Sequence, residues 1–455
     1  MRENETHLFE GGIVMLTWNR TKTITALALP VGIALSSTLA MSLVDLAMVR
    51  FLGIHAIAAV GLAVFSNTLV LAFIGGTAPA VQGIVARRRG QGSTEPRCLP
   101  LNAGLVLALA IGIPLTVLCW FGTPYYFSLI SSDPAVTAIG VPFLRALYLS
   151  VTAVGLLGAF KGYWYAMEKP RLFMSIVLLL NVLNFIGDYT LIRGRFGAPA
   201  FGATGAAIAT TTALWFGVVL NFILIGVRYG KDGFLRARPD RALMTRILKL
   251  SIPATMQEFF FSVGYIVFLW MVGRVGTKEL AAANVLIRIT MVLALMAMSL
   301  GAASATLVSK TIGQGDLAGA SQWGWDSGKL GVILITLLGL PLLLFPAQCL
   351  SLFLSDPSTI AMAIIPMRMV AATTGAGSLI YIFAYTLYSV GDGKRVIMVS
   401  FSTQWLVFLP AVWIVGPYLR YGLLQIWVVQ MIYGALATIL ITSIWADGRW
   451  KKIRI

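Results

Sequence analysis

Residues 85–92 read VARRRGQG and residues 308–315 read VSKTIGQG. The two stretches lie 223 positions apart, and the same offset relates much of the chain without a gap. It lays Pro30 on Pro253, Gly53 on Gly276, Ala58-Ala59 on Ala281-Ala282 and Ser132-Asp133-Pro134 on Ser355-Asp356-Pro357. Arg145 falls on Arg368, Phe160 on Phe383 and Tyr165 on Tyr388. Agreement of this kind marks an internal repeat, and a long chain of two strongly apolar halves is a recurring signature of secondary transporters, whose sites lie between the repeats.

The chain has 455 residues, of which 58% are hydrophobic and 11% charged, with a mean hydropathy of +0.87. That leaves too little polar surface for a soluble protein of this size. Stretches of about 20 apolar residues suit helices crossing a hydrocarbon core. Twelve are expected, with cores at 25–48, 56–84, 101–124, 136–160, 172–192, 203–227, 247–273, 280–309, 328–350, 359–389, 396–418 and 422–445. The net charge of +17 invites a nucleic-acid reading, but its distribution argues against one. Assigning alternate connections to opposite sides puts 24 of the 34 basic residues on one face, including Arg87-Arg88-Arg89, Lys161, Lys310 and the run from Arg228 to Lys249. By the positive-inside rule both termini are expected in the cytoplasm of a multi-pass protein of the inner (plasma) membrane.

The fold expected is therefore all-α and polytopic: twelve transmembrane helices forming two parallel six-helix repeats. The parts are a cytoplasmic N-terminal segment 1–23, an N-lobe 24–227, an inter-lobe linker 228–246, a C-lobe 247–446 and a basic tail 447–455. No cleavable signal peptide is apparent, since the first apolar run follows a polar stretch and reads as the first span. Cys98, Cys119 and Cys349 are widely separated and imply neither a disulfide framework nor a metal site.

An ionisable residue inside a span is costly and is a functional candidate by default. Three acids stand well inside: Asp45, Asp188 and Glu258. Asp45, late in the first helix, has Phe268 as its repeat mate, and Asp188, late in the fifth, has Ala411, so the acids are lopsided. The two carboxylates are expected at similar depth, where they can face a common pocket, with Asn184 one turn from Asp188 on the same helical face. Such a pair suits proton or cation exchange, because a buried carboxylate with a like-charged neighbour favours neutralisation. The alternative is an acid buried against a nearby arginine, Arg50 or Arg193, or one close enough to the interface to be hydrated. Glu258 reads as a second coupling acid, a cation-recognition group in the cavity, or half of a salt bridge near the inner mouth. Arg145 and Arg368, being repeat mates, are expected to tie helices within each lobe, and the role of Arg288 stays open. Tyr163-Trp164-Tyr165 and the group Met291, Met296 and Met298 suit helix packing or a cavity for flat apolar cations.

The chain resembles the multidrug and toxic compound extrusion (MATE) family over nearly its whole length. The resemblance rests on Leu29-Pro30, Val44-Asp45, Leu52-Gly53 and Ala58-Ala59, then on Asn184 to Ile192 (NFIGDYTLI) and Gly202 to Thr210 (GATGAAIAT). It implies two six-helix bundles in a V around a central cavity, alternating between inward-open and outward-open states. It also implies export of organic, often cationic, compounds against inward proton or sodium flow. In the DNA-damage-inducible-like bacterial and archaeal branch, the acids matching Asp45 and Asp188 form an N-lobe cation site, with Asn184 and Thr210 matching its polar neighbours. Another branch uses acids in the seventh and tenth helices; here the tenth has none before Asp392, and Glu258 falls about one turn early.

The expectation is an antiporter, not an enzyme, exchanging an organic substrate for H+ or Na+ by alternating access, functional as a monomer and without a cofactor. Its cation-coupling residues are Asp45, Asp188, Asn184 and Thr210, its substrate-cavity candidate is Glu258, and any bound metal is Na+ at Asp45, Asp188 and Asn184. A lipid-linked oligosaccharide flippase of the same superfamily would favour a basic cavity, which the three acids oppose. A polytopic membrane transferase would show clustered acids or histidines at a membrane face, whereas His7 and His55 are the only histidines. No nucleotide-binding loop is visible.

Overall fold

A computed structural model describes residues 17–453. Residues 1–16 and 454–455 lie outside the described residues, and with them Arg2, Glu3, Glu5, His7, Glu10 and Arg454. Among the described residues twelve helices are long and apolar enough to cross a membrane. They are α1 (Trp18–Leu52), α2 (Ile54–Gly90), α3 (Leu99–Ile130), α4 (Pro134–Ala166), α5 (Pro170–Leu191) and α6 (Ala203–Asp232). The second half supplies α7 (Arg241–Gly273), α8 (Thr277–Gly313), α9 (Leu317–Leu344), α10 (Pro357–Val390), α11 (Gly393–Tyr418) and α12 (Leu423–Ala446).

The repeat is visible in the helix bounds. Helices α2 and α8 start and end at repeat mates, Ile54 with Thr277 and Gly90 with Gly313. The duplicated Ser-Asp-Pro sequences become helix starts. Asp133 accepts the Ala135 N–H at 2.8 Å and Asp356 the Thr359 N–H at 3.1 Å, each followed by a proline in the first turn, where a missing N–H costs nothing. Hydroxyls of Ser358 and Thr359, each 2.6 Å from the Asp356 carboxylate, hold that acid well below the usual carboxylate range. The expected linker 228–246 is shorter, since α6 runs to Asp232 and α7 starts at Arg241, and the largest departure is in α9. Helix α9 begins at Leu317 rather than near 328, capped by Asp316 on the Gly319 N–H, and it ends at Leu344, a short helix Pro346–Ser351 following. Polar residues 321–327 dilute the apolar signal there, yet this stretch is helical, and Trp445 of α12 packs where a Cβ on Gly324 would lie.

Two lobes follow from the packing. One apolar cluster draws only on first-half residues such as Val60, Phe127, Leu144 and Ile192, and another only on second-half residues such as Phe268, Leu286, Met367 and Trp427. Two other clusters mix the halves: Leu243, Ile247 and Ala302 join a first-half core, while Ile24 and Ala28 join a second-half one. The mixed clusters lie toward the face carrying the basic connections, here called the basic face. The lobes meet there and part toward the opposite face, a V with a central cleft.

The meeting surface is built from repeat mates. A Cβ on Gly90 would lie 1.9 Å from the Lys310 carbonyl oxygen, and one on Gly313 would lie 2.1 Å from that of Arg87. The ends of α2 and α8 thus cross backbone to backbone at the two mated glycines, which accounts for the Gly-Gln-Gly repeat. Gly92 and Gly315, two residues on, both hold positive φ, at 61° and 83°. Two further crossings are also mates of each other. Gly32 of α1 faces Ser299 of α8, and Gly76 of α2 faces Thr255 of α7, so that each close approach pairs one glycine with one hydroxyl residue.

Polar contacts seal the same end. Arg20 of α1 reaches the buried Asp326 of α9 at 2.5 Å and lies over Trp323. Glu168, just after α4, accepts from Lys310 at 2.6 Å and from Arg89 at 3.1 Å. The Gln82 amide, wholly buried, donates to the Ala302 carbonyl at 2.7 Å and to Thr306 at 2.8 Å. A branched side chain at Gly90 cannot be accommodated without moving backbone. Gly90→Val therefore lengthens the distance between spin labels placed on the two lobes at the basic face, measured by double electron–electron resonance; an unchanged distance distribution contradicts this account of the crossing.

Candidate functional site

Helix α1 carries Pro30 and α5 starts on Pro170; the two helices pack side by side within the first lobe. This brings Asp45 and Asp188 together, their carboxyl groups within hydrogen-bonding reach of each other. Asp188 is fully buried and Asn184, one turn earlier, nearly so. Among the described residues no donor reaches either carboxylate oxygen of Asp188 or Oδ1 of Asp45, and the Asn184 amide nitrogen also lacks a partner.

The arginines that would neutralise this pair are directed elsewhere. Arg193 lies over the ring of Phe51, 5.0 Å from its centre, and Arg50 lies 5.9 Å from the same ring. Among the described residues neither acid has an ion-pair partner. A cavity of about 200 Å³, lined by Met48, Phe51, Tyr189, Ile192 and Arg193, abuts Asp188 from the open side of the lobe. Thr210 lies on α6, which packs on α5 where Gly187 meets Ala209. Its hydroxyl donates to the Ala206 carbonyl at 3.0 Å, so toward any ion it has only an oxygen lone pair to offer. Two contacting carboxyl groups in a low-dielectric interior repel one another when both are charged, and no side-chain cation among the described residues pairs with them.

Glu258 sits elsewhere. Its side chain is open to solvent yet surrounded by protein, the combination found on the wall of a deep cleft, and its Cγ would lie 3.9 Å from a Cβ on Gly75 of α2. Its cationic neighbour is Lys161 of α4, from the other lobe, within electrostatic range but not in ion-pair contact. Lys161 thus belongs inside the membrane span and not with the basic-face connections, where alternating loops placed it. Phe73 packs tilted against Phe259 beside them, ring centres 4.8 Å apart, and Tyr381 and Tyr385 of α10 lie within electrostatic range of Glu258, with the Tyr385 hydroxyl donating to Gln82. This part of the cleft therefore holds one acidic and one basic side chain, one from each lobe.

Other sequence candidates are structural. Arg145 donates to the Trp120 carbonyl at 3.2 Å and lies over its ring, tying α4 to α3 within the lobe. Tyr163 and Trp164 are buried, Trp164 donating to Asn221 at 2.8 Å, and so pack helices rather than line the cleft. Arg288 of α8 lies within electrostatic range of Tyr265 of α7. Two charged residues escaped the sequence reading, Lys161 and Asp326. The repeat offset finds both: Lys161 is the mate of Ala384 and Asp326 of Ala103, the same symmetry breaking that singled out Asp45 and Asp188.

Known proteins resemble this arrangement in sequence and in fold. Multidrug resistance protein MdtK of Yersinia pseudotuberculosis is 24% identical over 401 residues, 87% of each chain. Probable multidrug resistance protein NorM of Neisseria meningitidis is 26% identical over 349 residues, 75% of each chain. An outward-facing multidrug resistance MATE family transporter of the MOP superfamily superposes with a TM-score of 0.85 at 19% identity, covering 96% of this chain and 97% of that one. The bent form of the Vibrio cholerae MATE transporter VcmN gives 0.84 at 18% identity, covering 95% and 98%. A model of the MatE family matches residues 30–190 and again residues 253–414, starting at the repeat mates Pro30 and Pro253. Matched once by each half, the chain belongs to the MatE family.

Proposed function

We propose that this protein is a secondary antiporter that exports organic, mainly cationic compounds in exchange for H+ or Na+. The observation that carries this reading is the pair Asp45 and Asp188: two facing carboxyls, one fully buried and one half-buried, without an ion-pair partner among the described residues and confined to one of two otherwise matching lobes. The names of its multidrug-resistance relatives support the export reading and do not favour a lipid-linked oligosaccharide flippase or a transferase.

Both termini lie in the cytoplasm in this reading, with the basic face inward, so the V is open outward. Substrate enters from the cytoplasm when the contacts around Gly90 and Gly313 part, and it leaves through the cleft when they close. A proton or sodium ion reaching Asp45 and Asp188 from outside offsets one carboxylate charge of the pair, and Asn184 and Thr210 supply neutral oxygen atoms around it. Coupling requires that ion and substrate favour different states of the first lobe; by linkage each then weakens binding of the other by the same factor. Helix α1 is the element able to transmit this, because it carries Asp45 at one end, the Gly32 contact to α8 in the middle and Arg20 of the inter-lobe salt bridge at the other. Glu258 and the flanking phenylalanines and tyrosines attract and stack the cationic cargo, while Lys161 limits how strongly it is held. The protein works as a monomer in this scheme, each chain holding both lobes.

Asp45→Asn and Asp188→Asn should each reduce gradient-driven uptake of a cationic dye into everted vesicles by at least about tenfold, with the protein still inserted. Uptake at the wild-type rate in either variant overturns the coupling assignment. In the same vesicles Glu258→Gln should raise the apparent KM for the dye by about five- to tenfold, the loss of one favourable charge, and Lys161→Gln should lower it. Movement of both variants in the same direction contradicts the assignment of opposite roles.

A further inference from the structure

On the basic face, away from the cleft, a cavity of about 560 Å³ opens beside the first three turns of α7. Arg241, Arg246 and Lys249 line it together with Thr245, Leu250 and Ile453 from the segment after α12, and among the described residues no acid lines it. Asp240 stands next in sequence, but its carboxylate caps α7 by accepting the Leu243 N–H at 2.9 Å. A fourth cation comes from the other lobe. Arg87, at the end of α2, donates to the Ile453 carbonyl at 3.1 Å and lies within electrostatic range of Arg246, while its other terminal nitrogen is buried without a partner among the described residues.

Like charges gathered around a cavity repel one another unless an anion sits among them. The anion that fits has several oxygen acceptors, because guanidinium groups match phosphate with paired hydrogen bonds and lysine adds a point charge. The walls also indicate where that phosphate is carried. The cations span the first turns of α7, where the helix enters the bilayer; Leu250 adds an apolar wall to the pocket, and the exposed Ile252, three residues beyond Lys249 on its side of the helix, continues that face with an apolar side chain. A charged head above an apolar exit suits a lipid better than a free ion, and basic pockets at the membrane surface hold lipid phosphates in this way.

We infer that this cavity binds the phosphate headgroup of an anionic phospholipid in the leaflet on the basic side. Because Arg87 belongs to the first lobe and Arg241, Arg246 and Lys249 to the second, the headgroup bridges the lobes only while they touch at the basic face. The lipid thereby favours the conformation seen here, by the free energy of its binding.

The test is lipid retention by the intact, detergent-purified protein in native mass spectrometry, after incubation with equal amounts of phosphatidylcholine and phosphatidylglycerol. Wild type should retain phosphatidylglycerol over phosphatidylcholine by at least about tenfold, and Arg246→Gln with Lys249→Gln should abolish the preference. The charge-conserving pair Arg246→Lys and Lys249→Arg should keep most of it, and Arg228→Gln, outside the pocket, all of it; these controls separate loss of the site from loss of the fold. Excess inorganic phosphate should not displace the lipid. Equal retention of the two lipids by wild type, or a preference unchanged in the glutamine double variant, overturns the site. Displacement by inorganic phosphate, or loss of the preference in Arg228→Gln, overturns its assignment to a lipid headgroup at this position.

Discussion

Two carboxyl groups pressed together in a membrane interior cannot both stay charged without a cation between or beside them. Asp45 and Asp188 are held in that relation by the packing of α1 on α5, while the arginines at the same depth are turned onto the ring of Phe51. In the proposed antiporter that charge is balanced by an ion that comes and goes. Everything else in the first lobe can be read as a setting for that requirement: the burial of Asn184, the small residues Gly187 and Ala209 that bring α6 against α5, and the cavity beside Asp188.

The second requirement is that a change at this pair reach the cleft. The repeat provides the frame. Mated glycines at 90 and 313 let the lobes touch at one end, and the swapped pairs Gly32 with Ser299 and Gly76 with Thr255 set two equivalent pivots farther in. A symmetric frame is well suited to rocking, since equivalent contacts on either side of the axis part and close together. The charged residues break the symmetry, placing the acid pair in one lobe and dividing the cleft floor between Lys161 and Glu258. Frame and function are thus written in different residues of the same repeat.

Much of this was legible in the sequence because its physical causes are local or periodic. Hydrocarbon thickness imposes long apolar runs, and all twelve appear as helices. The offset of 223 carries caps and crossings faithfully, so Ser-Asp-Pro and Gly-Gln-Gly recur where the structure needs a helix start or a close backbone approach. The juxtaposition of Asp45 and Asp188 was also foreseeable, both lying near the same end of helices that run in the same direction. What escaped depends on distant partners. The start of α9 is hidden because its polar first turns are stabilised by Arg20 and Trp445, residues more than a hundred positions away. Lys161 was read as a loop cation because it follows an apolar run directly, and only the acid across the cleft reveals its depth.

The central claim is that substrate and a cation compete through Asp45 and Asp188. The most direct measurement is cation release on substrate binding to purified protein, followed with a pH indicator in weak buffer for H+ and with radiolabelled sodium for Na+. The account predicts that a cationic substrate expels one or the other from wild type and neither from Asp45→Asn or Asp188→Asn. Substrate binding to wild type with no release of either ion would contradict it.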